Sequence, residues 1–339
     1  MEGKLKIGIV GIGNIAEKIH LPALMKISEV EILAVCDQNQ EKAQSLAEQY
    51  GIRVVYKDYM ELLEDPEVDA IDICTPNHLH SVIAVAALER GKHVFCEKPD
   101  AINVSEAFKM KEAADINGKV LMVMRNNRYL QTSSFLKNYI AEGKMGEIYA
   151  ARCGWQRRNG MPGKGEWFTN KEHSGGGPLI DLGIHMIDLT MWLMGNPKPI
   201  SVTGCTYNKF SKVFDVEDLV MGFIRFDNGA CMQIEFSWIS NVEKEKRFLE
   251  LRGTLAGAKW SSDTQKLEIY KEEYGKAVNE NPAIDNTVGI PMHEANLRHF
   301  VDVVLHKAEP MFLPQQGIEV MKIIEEIYRS AENGKEIIM

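Results

Sequence analysis

"LKIGIVGIGNIAEKIHLPAL", residues 5–24, decides the fold. Leu5–Val10 is an apolar run of strand length, Gly11-Ile12-Gly13 breaks it, and the residues up to Leu24 read as a helix. Gly11-Ile12-Gly13-Asn14-Ile15-Ala16 fits G-x-G-x-x-G/A. The first glycine permits a sharp turn and the second lets the backbone approach a pyrophosphate. The alanine in third place lets the helix pack closely on its strand. Free N–H groups at the helix start, with Asn14 and Ile15 in the same loop, face the phosphates at the positive end of the dipole. Alone, such a hexapeptide is weak evidence. Here a strand precedes it, a helix follows it, and Asp37 ends the next strand 21 residues past Ala16. That combination is the dinucleotide fingerprint. A carboxylate at Asp37 accepts ribose hydroxyls and repels a 2′-phosphate, and Gln38, Asn39 and Gln40 bring no arginine to receive one. The expected cofactor is therefore NAD, with NADP disfavoured.

Working outward, the pattern repeats. "VEILAVC" is followed by a helical stretch to Tyr50, and "VDAIDIC" by one running to Gly91. "KHVFC" and "KVLMVM" add two strands separated by the helical "NVSEAFKMKEAADING". Strands alternating with helices predict an α/β, doubly wound parallel sheet over residues 1–125. From 126 to 339 the rhythm changes. "EIYAARCGWQ", "ISVTGCTYN", "EDLVMGFIRF", "GACMQIEFSW", "KRFLELRGT" and "KLEIYKEE" are short strands in succession, with turns such as Asp227-Asn228-Gly229 between them. They predict an antiparallel sheet, and with the helices around it an α+β domain. Two helices, roughly 292–306 and 315–333, close the chain.

The composition narrows the function classes. Across 339 residues, 48 acidic against 39 basic side chains give a net charge of −9, with no polybasic run, which argues against nucleic acid or an anionic membrane as partner. The six cysteines are scattered, with neither a C-x-x-C pair nor zinc spacing, as in a reduced cytoplasmic protein. No window approaches a membrane span, and the N-terminal apolar run lacks a cleavage-site pattern.

Three further segments carry chemistry. "CTPNHLH", residues 74–80, follows a strand of the parallel sheet, where that sheet's carboxyl edge meets its ligand. Thr75, Pro76, Asn77 and His80 are the cofactor-edge candidates there, and the H-x-H spacing reads as a polar helix start rather than a metal pair. "CEKPD", residues 96–100, ends the next strand. Its Lys98 is either solvated or catalytic at the nicotinamide end. "GGGPLIDLGIHMIDLTMWLMG", residues 175–195, is apolar except for Asp181, His185 and Asp188. Asp181 and His185, four apart, share one helix face. A satisfied structural pair, a metal site lacking a third ligand, and acid–base chemistry are the three readings. An imidazole titrates near neutrality and can take a hydroxyl proton, which oxidation of an alcohol requires as hydride leaves carbon. A lysine cation would then stabilise the alkoxide, with Asp181 holding a neighbouring hydroxyl. Asp188 falls to structure.

Taken in order, Gly11–Ala16, "TPNHLH", Glu97-Lys98-Pro99 and "GGGPLIDLGIHMIDL", with the closing "HEANLRHFVDVVLHKAEPMFLPQQGIEVMKIIEEIYRSAENGKEI", resemble the glucose–fructose oxidoreductase/inositol dehydrogenase/MocA (Gfo/Idh/MocA) family over essentially the whole chain. The resemblance implies a Rossmann domain, a second α+β domain with a large, mostly antiparallel open sheet that serves substrate binding and oligomerisation, and homodimers or homotetramers through that sheet. It implies an oxidoreductase moving hydride between NAD and a secondary alcohol or ketone of a sugar, inositol or related polyol. The family's catalytic lysine, aspartate and histidine fall on Lys98, Asp181 and His185, and Glu97 and Lys98 of its E-K-P motif fall at the cofactor. Two departures stand out. Asp100 occupies a position usually apolar or small, and Met124-Arg125-Asn126-Asn127-Arg128-Tyr129 replaces G-F/Y-N-R-R-F. Asn126 is carried over as a nicotinamide or substrate neighbour. The loop 154–169 resembles a substrate-facing segment, in which Arg157 and Arg158 either read a hydroxyl-rich or acidic sugar or are solvated, and Trp155 or Trp167 either stacks on a sugar or packs. Two other activities fit the same residues: redox-assisted elimination or glycoside cleavage with retained NAD, and a non-catalytic dinucleotide-sensing regulator.

Overall fold

The computed structural model describes residues 3–162, 167–210 and 214–339. Its first sheet comprises β1 (Leu5–Val10), β2 (Val30–Cys36), β3 (Val54–Tyr56), β4 (Ala70–Ile73), β5 (His93–Cys96) and β6 (Leu121–Val123). All neighbours are parallel, in the order β3-β2-β1-β4-β5-β6, so the strand order reverses between β1 and β4. This is the doubly wound sheet the alternation predicts, with β3 added. Val54–Tyr56 is three half-buried residues at an edge, too short for its pattern to register.

The second sheet comprises β7 (Ile148–Gln156), β8 (Pro199–Tyr207), β9 (Leu219–Phe226), β10 (Cys231–Ser237), β11 (Lys246–Gly253), β12 (Ala256–Ser261), β13 (Lys266–Glu273), β14 (Lys276–Glu280) and β15 (Ile337–Ile338), in the order β14-β13-β12-β11-β7-β10-β9-β8-β15. Every pairing is antiparallel except β7 with β10, which makes the sheet mixed. Its strands alternate in burial, as in Leu219–Phe226 where Val220, Ile224 and Phe226 are buried while Met221 and Arg225 are exposed. The helical stretch Leu179–Leu193 packs against β7 and β10.

The chain separates into two compact units, Met1–Asn126 with Ile290–Ile318, and Asn127–Gly289 with Glu319–Met339. Residues 290–318, expected in the second domain, belong with the first unit. The helix Met292–Val304 lays Leu297, Phe300, Val301 and Val304 into the same apolar core as Ile7, Ile9 and Phe95, and the Phe95 and Phe300 rings lie 5.3 Å apart. Burying one such ring contributes roughly 1.5–3 kcal/mol. The i, i+3, i+4 spacing announces an amphipathic helix, but no spacing says which core it covers. Among the described residues no helix is long and apolar enough to cross a membrane.

Candidate active site

In the first unit the register places the candidate cofactor residues. Val10 aligns with Cys36 on one side and Ile73 on the other, Ile73 with Cys96, and Cys96 with Val123. The residues just past those ends (Gly11, Asp37, Thr75, Lys98, Asn126) therefore share the carboxyl edge of one sheet.

The loop residues fit a dinucleotide. Gly11 has φ +87° and a Cβ there would sit 2.8 Å from the Cys74 carbonyl oxygen, so only glycine makes this turn. Nothing lies within 4 Å of where a Gly13 Cβ would stand. Its missing side chain serves clearance on an open face, as close approach of a pyrophosphate requires. Asn14 is exposed beside it and Ile15 half-buried, and the helix begins at Ala16 with one wide π turn, Ala16–His20. Asp37 receives Ile12 N–H at 2.7 Å and Asn39 N–H at 2.8 Å, one per carboxylate oxygen. Each oxygen keeps a lone pair for a ribose hydroxyl. Thr75 Oγ1 and Asn126 Oδ1 are buried acceptors with no partner among the described residues. Unpaired buried groups of this kind are what a bound polar ligand satisfies. Asn126 is held from its other end, its Nδ2 lying 2.7 Å from His293 Nε2.

Pro76 carries the chain away from the sheet in extended conformation, and Asn77 is buried at the start of the next helical turn. His80, expected at the cofactor, is a strut instead. It has no exposed surface, and its Nδ1 and Nε2 lie 2.8 and 3.0 Å from the carbonyl oxygens of Pro99 and Thr75. Burial pushes its pKa down, and the neutral ring donates to one carbonyl at a time. It ties the Thr75 loop to the Lys98–Pro99 turn, whose peptide is cis. Glu97, also expected at the cofactor, is buried, with one oxygen receiving Lys98 N–H at 3.0 Å and the other 3.0 Å from His20. Lys98 itself is half-buried.

The two departures from the family pattern answer each other. Asp100 and Arg125 form a fully buried ion pair, with the guanidinium over the Phe312 ring and Arg125 N–H donating to Asn296 Oδ1 at 2.7 Å.

In the second unit, "GGGPLIDLGIHMIDLTMWLMG" forms a π turn, Leu179–Gly183, running into the α-helix Ile184–Leu193, and Gly195 closes it at φ +86°. Its start is anchored by Glu217, which receives Gly177 N–H at 2.9 Å, Leu179 N–H at 3.0 Å and the Tyr328 hydroxyl at 2.8 Å. Asp181 and His185 are only partly buried in a helix otherwise almost wholly so. Asp181 Oδ2 accepts the indole N–H of Trp238 at 2.9 Å, and the Trp155 ring lies 6.0 Å from that of His185. Asp188 is structural. Arg128 grips it bidentately, Nε to Oδ2 at 2.9 Å and Nη2 to Oδ1 at 2.7 Å, both side chains buried. The stripe of ionisable groups thus divides: one residue is neutralised in the core, two are presented at the helix surface.

Trp238, fully buried, follows the end of β10, and nothing in its local sequence distinguishes it from a packing residue. Replacing it by phenylalanine removes a charge-assisted hydrogen bond of about 1.5–3 kcal/mol while keeping most of the packing. The expected result is a kcat lowered on the order of tenfold with NADH binding intact. An unchanged kcat would show that Asp181 needs no such support.

Arg157 lies along the Trp155 ring, 5.1 Å from its centroid, with Nη1 donating to Gly160 O at 3.0 Å. Exposed Arg158 donates to Glu243 O at 2.8 Å. Trp167 stacks on Phe168 with ring centroids 3.8 Å apart. Of the two tryptophans in this loop, Trp155 is therefore the one beside His185. Residues 163–166 of the loop lie outside the described residues. His20, Asp72, Trp238 and His293 escape sequence reading because each acts through a partner remote in the chain.

Residues 5–125 match the model described as "Oxidoreductase family, NAD-binding Rossmann fold", and residues 137–339 match "Oxidoreductase family, C-terminal alpha/beta domain". The D-glucoside 3-dehydrogenase of Escherichia coli K12 is 32% identical over 349 aligned positions, covering 98% of this chain and 97% of that one. The myo-inositol 2-dehydrogenase of Thermotoga maritima is 29% identical, covering 69% and 68%. Among solved structures, levoglucosan dehydrogenase in complex with NADH superimposes with a TM-score of 0.89 at 25% identity, covering 99% of both chains.

Proposed function

The chain belongs to the Gfo/Idh/MocA oxidoreductase family, and we propose that it is an NAD-dependent dehydrogenase of a secondary alcohol on a sugar, glycoside, inositol or related polyol. The observation that carries this reading is the single sheet edge bearing Gly11, Gly13, Asp37, Thr75, Lys98 and Asn126. Relatives named as glucoside, inositol and levoglucosan dehydrogenases support the substrate class.

The residues divide the work. The loop at Gly11–Ala16 holds the pyrophosphate, Asp37 the adenosine ribose, and Thr75 and Asn126 offer acceptors toward the nicotinamide end. Bound NAD supplies the carbon that accepts or returns hydride. His185 takes the proton of the substrate hydroxyl in oxidation and returns it in reduction. The Lys98 ammonium is the hydrogen-bond donor assigned to the oxygen on which charge develops. Asp181, oriented by Trp238, accepts from a neighbouring hydroxyl and distinguishes a polyol from a simple alcohol. Arg157, Arg158 and Trp167 are assigned to the outer substrate surface. Location in the cytoplasm and assembly into a homodimer or homotetramer through the second sheet's exposed face, which carries Tyr149, Tyr207 and Met221, complete the proposal.

The purified protein, given NAD and a panel of glucosides, anhydro sugars, aldoses, inositols and sugar acids, is expected to form NADH with at least one of them and to use NAD better than NADP. Silence across the panel from protein that still binds NADH would overturn the dehydrogenase reading. Light scattering on the same preparation reads the oligomeric state, and a monomer rejects that part.

A further inference from the structure

Beneath Lys98 in the first unit runs a buried chain of charges that the proposed chemistry does not use. His20 has no exposed surface. Its Nδ1 lies 2.8 and 3.1 Å from the two carboxylate oxygens of Asp72, and its Nε2 lies 3.0 Å from Glu97 Oε1. The other Glu97 oxygen receives the backbone N–H of Lys98 at 3.0 Å. Carboxylates at both ring nitrogens require two donors, which only the imidazolium supplies. Burial opposes that cation, yet the charge and hydrogen bond of the Asp72 carboxylate outweigh it and hold the His20 pKa well above its ordinary value. Burial likewise opposes the Glu97 carboxylate, but the hydrogen bond and charge of His20, with Lys98, hold it at about 2. Two carboxylates and one cation leave a single negative charge behind Lys98.

Stability alone does not call for this arrangement, since a buried ion triad is often no better than apolar side chains of the same volume. Nor is a bound metal needed to explain it. The potential ligand atoms of His20, Asp72 and Cys74 lie within 4.8 Å of one another, but the ring is already hydrogen-bonded on both sides. The Cys74 thiol, pushed up to about 12 chiefly by burial, stays protonated at neutral pH.

We propose that His20 is a positioning residue for Lys98: as a fixed cation between Asp72 and Glu97 it keeps the Glu97 carboxylate on the Lys98 backbone and limits the negative charge there to one. This rests on the reading of Lys98 as the group that polarises the substrate oxygen.

His20→Gln keeps a donor but removes the cation, leaving two carboxylates, whereas His20→Gln with Asp72→Asn restores one net negative charge. Displacement of a catalytic group by about an ångström costs on the order of 10²-fold. The expected result is a kcat about 30-fold lower in the single variant with sugar KM and NADH fluorescence-titration Kd little changed, and recovery of about tenfold in the double variant. Equal impairment of both variants would reduce His20 to packing and overturn the proposal. Wild-type kcat in both, beside an inactive Lys98→Ala, would overturn it while leaving the dehydrogenase reading intact. An active Lys98→Ala would overturn that reading and this inference together. Should the variants not fold, ring ¹⁵N spectra of the wild-type protein decide. At about pH 8.5, well above the usual imidazole range, one ring among the nine histidines remains doubly protonated. A spectrum with none, or stoichiometric zinc in the purified protein, rejects the assignment.

Discussion

Replacing Lys98 by alanine is expected to lower kcat for the sugar substrate by at least ~10²-fold while NADH still binds. The magnitude follows from the work assigned to it. A preorganised donor aimed at a developing oxyanion contributes about 2.7–4 kcal/mol, and the ammonium is the charged donor at the sheet edge where Thr75 and Asn126 leave acceptors open. Cofactor binding is expected to survive because the proposal spreads it over the Gly11–Ala16 loop and Asp37, which Lys98 does not hold. His185→Ala is expected to fall by a comparable ~10²-fold or more, since it removes the proposed general base. Removing both residues should cost less than the product of the two losses, as groups serving one step are not additive. Steady-state kinetics with NADH fluorescence titration checks all three variants. A kcat within about threefold of wild type for Lys98→Ala would move the polarising role to another residue.

Asp100→Ala is the variant expected to damage stability most. It strips the buried Arg125 guanidinium of its counter-ion and leaves an uncompensated charge, which costs about 3–5 kcal/mol. For a unit of this size that is a fall in Tm on the order of 10 °C. The ion pair also fastens the segment containing Phe312 and Gly317, since a Cβ at Gly317 would meet the Asp100 carboxylate. The apolar double variant Asp100→Ala with Arg125→Phe removes both charges together, and most of the lost Tm should return. Thermal denaturation followed by circular dichroism measures both. A single variant as stable as wild type would mean that water or another carboxylate reaches Arg125.

Asp100 and Arg125 show where sequence reading stops. Each is visible as a departure from a family pattern, and 25 positions separate them. Only the parallel register, which lays Cys96 beside Val123, turns two anomalies into one compensated pair. His80 teaches the same lesson in reverse. Its place after a strand end is shared by Thr75, whose buried Oγ1 has no partner among the described residues, yet both nitrogens of His80 are occupied by carbonyl groups of the protein. The helix Met292–Val304 was legible as a helix, but its allegiance to the first unit was not, because amphipathic spacing carries no address.

The amino-acid sequence alone determined the architecture and the reaction class. Strand–turn–helix alternation, a glycine loop and Asp37 are local signals, and local sterics and hydrogen bonding enforce them wherever they occur. The pairing of Asp181 with Trp238, of Asp188 with Arg128, and of His20 with Asp72 and Glu97 was decided only by the tertiary structure. Each joins an ionisable side chain, buried or partly buried, to a partner at least 52 positions away. A buried charge must find a partner, but which one depends on the packing of whole strands and helices, and no short stretch of sequence contains that.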